Sequence, residues 1–236
     1  MRTTADGTPR IMITVPAYNE AGRIAEVVQA LRAKAVLVIV IDDGSTDHTA
    51  QQAEAAGAFV LRHVLNRGQG AALQTGITFA LLQGGDIIVT FDADGQHDPD
   101  DLDALIGPIL RGECAVTLGS RFLGRAEGLP WRRWLILQGG RWFTRLISRI
   151  QVTDVHNGLR ALSAQAAQTI TLTMDRMAHA SELLEQLQAH QLSYQEIPMT
   201  LRYTSYSLHK GQGNWQALSI ALHMLLHKVY QWSGFR

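Results

Sequence analysis

The chain of 236 residues has little of several things, and each scarcity excludes a class of protein. Its one cysteine, Cys114, lies in the apolar run CAVTL, so no internal disulfide can form and a reducing compartment is expected. The apolar run Val36 to Ile41 has six residues, and no run in the sequence approaches the ~20 that cross a bilayer. The opening MRTTADGTPR lacks the apolar segment of a secretory signal, and none is expected. Net charge is missing too, since 21 basic and 21 acidic residues cancel, which argues against a nucleic-acid partner. Lysine is scarce: three of the basic residues are Lys, so the positive surface is built from arginine. Seven of those arginines fall between Arg121 and Arg149 against one acid, Glu127, whereas acids gather in the first hundred residues. An acidic mouth beside a basic flank is the expectation.

What is present is a regular alternation. Ile11 to Val15 reads as a strand, Glu20 to Arg32 as an amphipathic helix, and Val36 to Ile41 as a buried strand. A helix from about Asp47 to Ala56 follows, with Ser45 or Thr46 as its cap. Then come a strand at Phe59 to Leu61, a helix at Gly68 to Leu82, a strand at Ile87 to Phe91, a helix at Asp100 to Leu110 and a strand at Ala115 to Leu118. Short connections between such units predict an α/β chain with a Rossmann-like, mostly parallel sheet flanked by helices. Beyond Gly119 the pattern changes. Residues 131–150 read as an amphipathic helix rich in Trp and Arg, Thr153 to Leu162 as irregular, and Ser163 to Leu172 and Ser181 to His190 as helical. Tyr194 to Ile197 and Met199 to Tyr203 read as one strand broken at Pro198. A last helix over residues 214–232 carries an apolar face that suits a lipid interface, a second copy or membrane protein, or the core.

Ligands of such sheets bind at the carboxyl ends of the strands, where the unusual chemistry of this chain falls. VPAYNE (15–20) ends strand one, DDGSTD (42–47) strand two, DADGQ (92–96) strand four and GSRF (119–122) strand five. Asp92 and Asp94 flank one alanine, so in an extended segment both carboxylates face one side. With the amide oxygen of Gln96 they make a set of hard oxygen ligands of the kind Mg²⁺ or Mn²⁺ takes while keeping water and phosphate oxygens. The remaining acids of this stretch, Asp98, Asp100 and Asp101, suit the start of the next helix. NRGQG (66–70) opens a helix through a glycine turn that is as much a tight helix start as a phosphate cradle.

These motifs in this order, together with NRGQGAALQTG (66–76), DADGQHDPDD (92–101) and DVHNGLRALS (154–163), resemble the family-two glycosyltransferases of GT-A fold. The likeness is greatest to their dolichyl-phosphate mannose synthase-like branch and covers most of residues 11–163. The resemblance implies an inverting, metal-dependent transfer from a GDP- or UDP-sugar to a polyprenyl phosphate or other lipid-linked acceptor. Residues 11–122 would hold the donor and 123–236 the acceptor, within one domain. Carried over by position, it implies Pro16, Tyr18 and Glu20 in the nucleotide pocket, Asp43 on the base or ribose, and Asp92, Asp94 and Gln96 on the metal. It further implies Arg121 and Arg133 on the acceptor phosphate and Arg202 and Lys210 over the donor phosphates. A sugar-hydroxyl acceptor, as in polysaccharide synthesis, would need a base, for which Glu182 is the candidate with Asp154 behind it. A non-catalytic nucleotide-sugar-binding protein is the other alternative. The Trp- and Arg-rich helix at 131–150 suits a peripheral position on the cytosolic face of a membrane, beside a lipid-phosphate acceptor.

Overall fold

The computed structural model describes residues 7–35, 37–127, 152–174 and 178–203. Among the described residues seven strands form one sheet: β1 (Ile11–Ala17), β2 (Leu37–Asp42), β3 (Phe59–Arg62), β4 (Ile87–Thr90), β5 (Val116–Glu127), β6 (Arg160–Ser163) and β7 (Tyr194–Arg202). Their spatial order is β3-β2-β1-β4-β6-β5-β7. Neighbours run parallel except around β6, which is antiparallel to both β4 and β5. The helices are α1 (Ile24–Arg32), α2 (Thr49–Ala55), α3 (Gln69–Leu82), α4 (Leu102–Leu110), α5 (Ala164–Thr169) and α6 (Ala178–Ala189). Together they make the GT-A arrangement expected, a mostly parallel sheet with helices on both faces.

The period of two along the strands divides the core. β1 sends Ile13 and Val15, and β2 sends Val38 and Val40, to the face covered by α1, α2 and α4. Met12 from β1, with Ile39 and Ile41 from β2, meets α3, α5 and α6 on the other face. Strands buried on both faces explain why these segments are almost wholly apolar. Helix α3 approaches the sheet closely at Gly76: a Cβ there would come within 1.7 Å of Thr14 Oγ1 and 2.6 Å of Ile41 Cδ1.

Four readings are corrected by the structure. The segment 153–162, expected to be irregular, contributes β6 from Arg160 onward to the middle of the sheet. A four-residue strand headed by a fully buried arginine has no apolar signature; Arg160 satisfies itself on the carbonyls of Asn157 and Val155, both at 3.0 Å. Strand β5 does not stop at Leu118 but continues to Glu127 alongside β7, with a register shift between Ser120 and Arg125. β7 is continuous through Pro198, which an edge strand tolerates. Finally, α2 begins at Thr49 without a cap from Ser45 or Thr46. The Ser45 hydroxyl instead accepts from Asn19 N at 2.9 Å, and Asp47 accepts from Thr49 N at 3.0 Å. The helices read at 131–150 and 214–232 lie outside the described residues.

Candidate active site

The carboxyl ends of β1, β2 and β4 open onto one rim, and the antiparallel β6 brings the loop before it, residues 152–159, to the same place. Asp92 and Asp94 stand at the centre, just past β4. The Asp92 carboxylate is held from two sides, by Gln69 Nε2 on Oδ1 and His97 Nε2 on Oδ2, each at 3.0 Å. Burial alone would push its pKa up, but the His97 hydrogen bond and charge, with His179 and Arg160 nearby, hold it below the ordinary aspartate range. Asp94 is the opposite case. Burial, and then the charge of Asp92, push its carboxyl up to about 6, with Glu20 adding to the effect. His97 and the Gln96 N–H, which Asp94 Oδ1 accepts at 3.0 Å, offset this only in part.

A buried carboxyl raised by a second one asks for positive charge, and the two aspartates supply hard oxygen donors. Among the described residues no group of three or more His, Cys, Asp or Glu is set to hold a metal ion. The protein alone therefore offers part of a coordination sphere. That fits a Mg²⁺ or Mn²⁺ ion whose other ligands are water and phosphate oxygens.

The other residues singled out from sequence are distributed around this centre, several with their hydrogen-bonding capacity already engaged. Pro16 pairs across β2 with Ile41, and Tyr18 projects from the end of β1, 44% exposed. Glu20 is buried, its backbone N held by Thr49 Oγ1 at 2.8 Å. Asp43 Oδ1 accepts from Arg67 N at 2.9 Å and Oδ2 from Gly68 N at 2.7 Å, while His63 Nδ1 lies 2.7 Å from Oδ1. Its carboxylate thus fixes the start of α3. Arg121 donates through its Nε to Asp154 at 2.6 Å and through Nη1 to the Tyr203 hydroxyl at 2.8 Å. Burial would lower its pKa, but Asp154 and Tyr203 carry it above the usual arginine value. Arg202 reaches Asp98 at 2.6 Å and Glu127 at 3.6 Å. Glu182 is not a solvated helix carboxylate: it is buried and accepts from Thr173 N (2.9 and 3.0 Å), Met174 N (2.9 Å) and Thr173 Oγ1 (2.5 Å). Arg133 and Lys210 lie outside the described residues.

A family model described as glycosyl transferase family 2 matches residues 12–170, about two thirds of the chain. The chain belongs to that family. Among relatives of this glycosyltransferase is the UDP-N-acetylglucosamine–dolichyl-phosphate N-acetylglucosaminyltransferase of Methanococcus voltae, 32% identical over 241 residues, covering 93% of this chain and 96% of the relative. The polyprenol monophosphomannose synthase of Mycolicibacterium smegmatis is 29% identical over 224 residues, 89% of this chain and 84% of the relative. Among solved structures, glucosyl-3-phosphoglycerate synthase from Mycobacterium tuberculosis, in complex with Mn²⁺, UDP-glucose and phosphoglyceric acid, superposes with a TM-score of 0.68 at 22% identity, covering 83% of this chain and 73% of that one. That likeness establishes the fold.

Some of the glycosyltransferase's site residues were not legible from sequence. Gly158 is the sharpest case: a Cβ there would sit 2.2 Å from Asp92 Oδ2 and 2.4 Å from Oδ1. The glycine is the space that Asp92 occupies, and an absent side chain leaves no chemical signal. Gln69 and His97 fall within the NRGQG and DADGQH stretches, where sequence alone shows no role for them; in the structure both hold Asp92. The loop at 92–101 is also tied down from a distance, since Arg202 N donates to Gln96 O at 2.9 Å and Leu201 bridges His97.

Proposed function

We propose that this glycosyltransferase moves a sugar from a UDP- or GDP-linked donor to a polyprenyl phosphate, with inversion at the anomeric carbon. The relatives named for dolichyl-phosphate and polyprenol products support the acceptor class, and they differ in the sugar they are named for. The observation that carries the choice of acceptor is the state of the two carboxylates named as candidate bases. Glu182 is saturated by Thr173 and Met174, and Asp154 is paired with Arg121 at 2.6 Å. A sugar hydroxyl needs its proton removed; a phosphate oxygen is already anionic and needs none.

Asp92, Asp94 and Gln96 would hold a divalent ion, Mg²⁺ or Mn²⁺, which when bound supplies positive charge to the departing nucleoside diphosphate. Gln69 and His97 keep Asp92 turned toward that position. Pro16, Tyr18, Glu20 and Asp43 border the nucleotide pocket, Asp43 acting through the backbone of residues 67–68 that it fixes. Arg121, clamped between Asp154 and Tyr203, presents a guanidinium of fixed orientation to the acceptor phosphate, which with Arg133 offsets repulsion between phosphates. Arg202 and Lys210 are assigned to the donor phosphates. The anionic acceptor oxygen then attacks the anomeric carbon on the face opposite the leaving diphosphate. Residues 11–122 form the donor half and 123–236 the acceptor half, and the enzyme works as a peripheral protein on the cytosolic face. No helix among the described residues is long and apolar enough to cross a membrane.

Incubating the protein with Mn²⁺, a polyprenyl phosphate and a panel of UDP-, GDP- and dTDP-sugars tests this reading. One donor should give a metal-dependent glycosyl lipid phosphate. Failure of every donor to bind in the presence of metal would overturn it.

A further inference from the structure

The loop from Arg62 to Gly68 joins β3 to α3 at the rim of the site and reads RHVLNRG. Its tip carries the most solvent-exposed large apolar side chain among the described residues, Val64, which is fully exposed, and next to it Leu65 at 64%. Single exposed apolar residues are ordinary; two in succession at a loop tip are less so. Arg67 and Arg62 flank them, both exposed, Arg62 with its Nε on the buried Asp42 carboxylate at 2.9 Å, and the loop contains no acid.

This exposure is imposed by the structure beneath. The Asp43 carboxylate grips the loop at Arg67 N and Gly68 N. His63 spans Asp43 and Thr75, with Nδ1 2.7 Å from the carboxylate and Nε2 3.0 Å from the hydroxyl. The Leu65–Asn66 backbone rests on Gly44, where a Cβ would lie 2.8 Å from Asn66 N; with φ of +74°, that position also suits glycine by conformation. Four chain positions thus hold a short loop so that its two apolar side chains point away from the protein. The rim they crown also carries exposed Leu123 and Arg125, on the extension of β5 past the sheet centre.

We infer that the Val64–Leu65 tip is a membrane contact that inserts into the headgroup region of an anionic bilayer, with Arg62 and Arg67 meeting lipid phosphates. An apolar tip between cations matches that interface in both polarity and charge. Its place beside the site orients the mouth toward the surface in which a lipid-phosphate acceptor is embedded, so the inference rests on the acceptor class proposed above. It adds a contact from the donor half, separate from the helices read at 131–150 and 214–232.

The test uses the full chain and the double variant Val64→Ser/Leu65→Ser, with Leu82→Ser as control. Leu82 is 77% exposed but ends α3, at the opposite rim of the sheet. Co-sedimentation with acceptor-free vesicles of phosphatidylglycerol and phosphatidylcholine should show binding weakened about tenfold or more in the double variant and unchanged in the control. Turnover of a polyprenyl phosphate embedded in such vesicles should fall in parallel, while turnover of a short, water-soluble prenyl phosphate stays at the parent rate. Unchanged vesicle binding, or an equal loss in the control, overturns the inference. So does equal loss on both acceptors, which would place the loop in the donor pocket. A change of oligomeric state on gel filtration would overturn it too, making the tip a protein contact. A parent that binds these vesicles through the tip but glycosylates no prenyl phosphate would refute the acceptor class and leave the membrane contact standing.

Discussion

Replacing Asp94 with asparagine should make the metal-free protein more stable while removing its activity. The Asp94 carboxyl is raised from 3.8 to about 6 by burial and by Asp92. A group whose folded pKa exceeds its unfolded value binds more protons folded than unfolded between those two values. Stability therefore falls as pH rises through that window, and the full cost is present above it. A difference of about two pH units corresponds to about 3 kcal/mol, an upper figure because Asp94 keeps some solvent contact. Asparagine retains the oxygen that accepts from Gln96 N and carries no charge. In a chelating buffer at pH 8, urea denaturation should show Asp94→Asn more stable than the parent by about 1–3 kcal/mol, with a higher Tm by several degrees. The two curves should converge toward pH 4. Adding Mn²⁺ should stabilise the parent and leave the variant unmoved, because a metal that binds only the folded state shifts the equilibrium by mass action. Equal stabilities at pH 8 without metal, or a gain that persists undiminished at pH 4, would refute the account of this site as a carboxyl pair in want of a cation.

Other outcomes follow from single contacts. Gly158→Ala should lower metal-dependent turnover by about a hundredfold or more with little change in the circular dichroism spectrum, because its Cβ displaces the Asp92 carboxylate; steady-state kinetics against metal concentration checks it. Glu182→Gln should cost about 1–3 kcal/mol in urea denaturation by weakening the hold on Thr173 and Met174, and leave the shape of the pH–rate profile unchanged. Loss of the acid limb of that profile would instead make Glu182 a base. Arg121→Ala leaves the buried Asp154 carboxylate without its ion pair and should destabilise the fold by about 3–5 kcal/mol, whereas Arg121→Lys should recover part of it.

How much of this was readable beforehand depends on whether a residue's role shows in its chemistry. β1, β2 and β4 were legible because strands buried on both faces must be apolar, and the acids that follow them stand out against such runs. β6 was not, because the chain buries Arg160 there and satisfies it on backbone carbonyls, which no hydropathy pattern reveals. Glu182 was named as a candidate base and Asp43 as a contact to the base or ribose, but sequence does not show which donors a carboxylate meets. The fold spends one on Thr173 and Met174 and the other on the start of α3. Gly158 acts through the atom it lacks.

The bridge between the loop at 92–101 and the end of β7 governs how the chain tolerates change in length. Gln96 and His97 are joined to Leu201 and Arg202, and Asp101 accepts from Thr200 N at 2.7 Å. The roughly one hundred residues between these partners, from α4 to β7, form a loop whose two ends are pinned together beside Asp94. Lengthening such a loop costs little closure entropy, about 0.6 kcal/mol per doubling. Insertions at the turns within it can therefore accumulate without moving the junction where Asp94 and Gln96 are held.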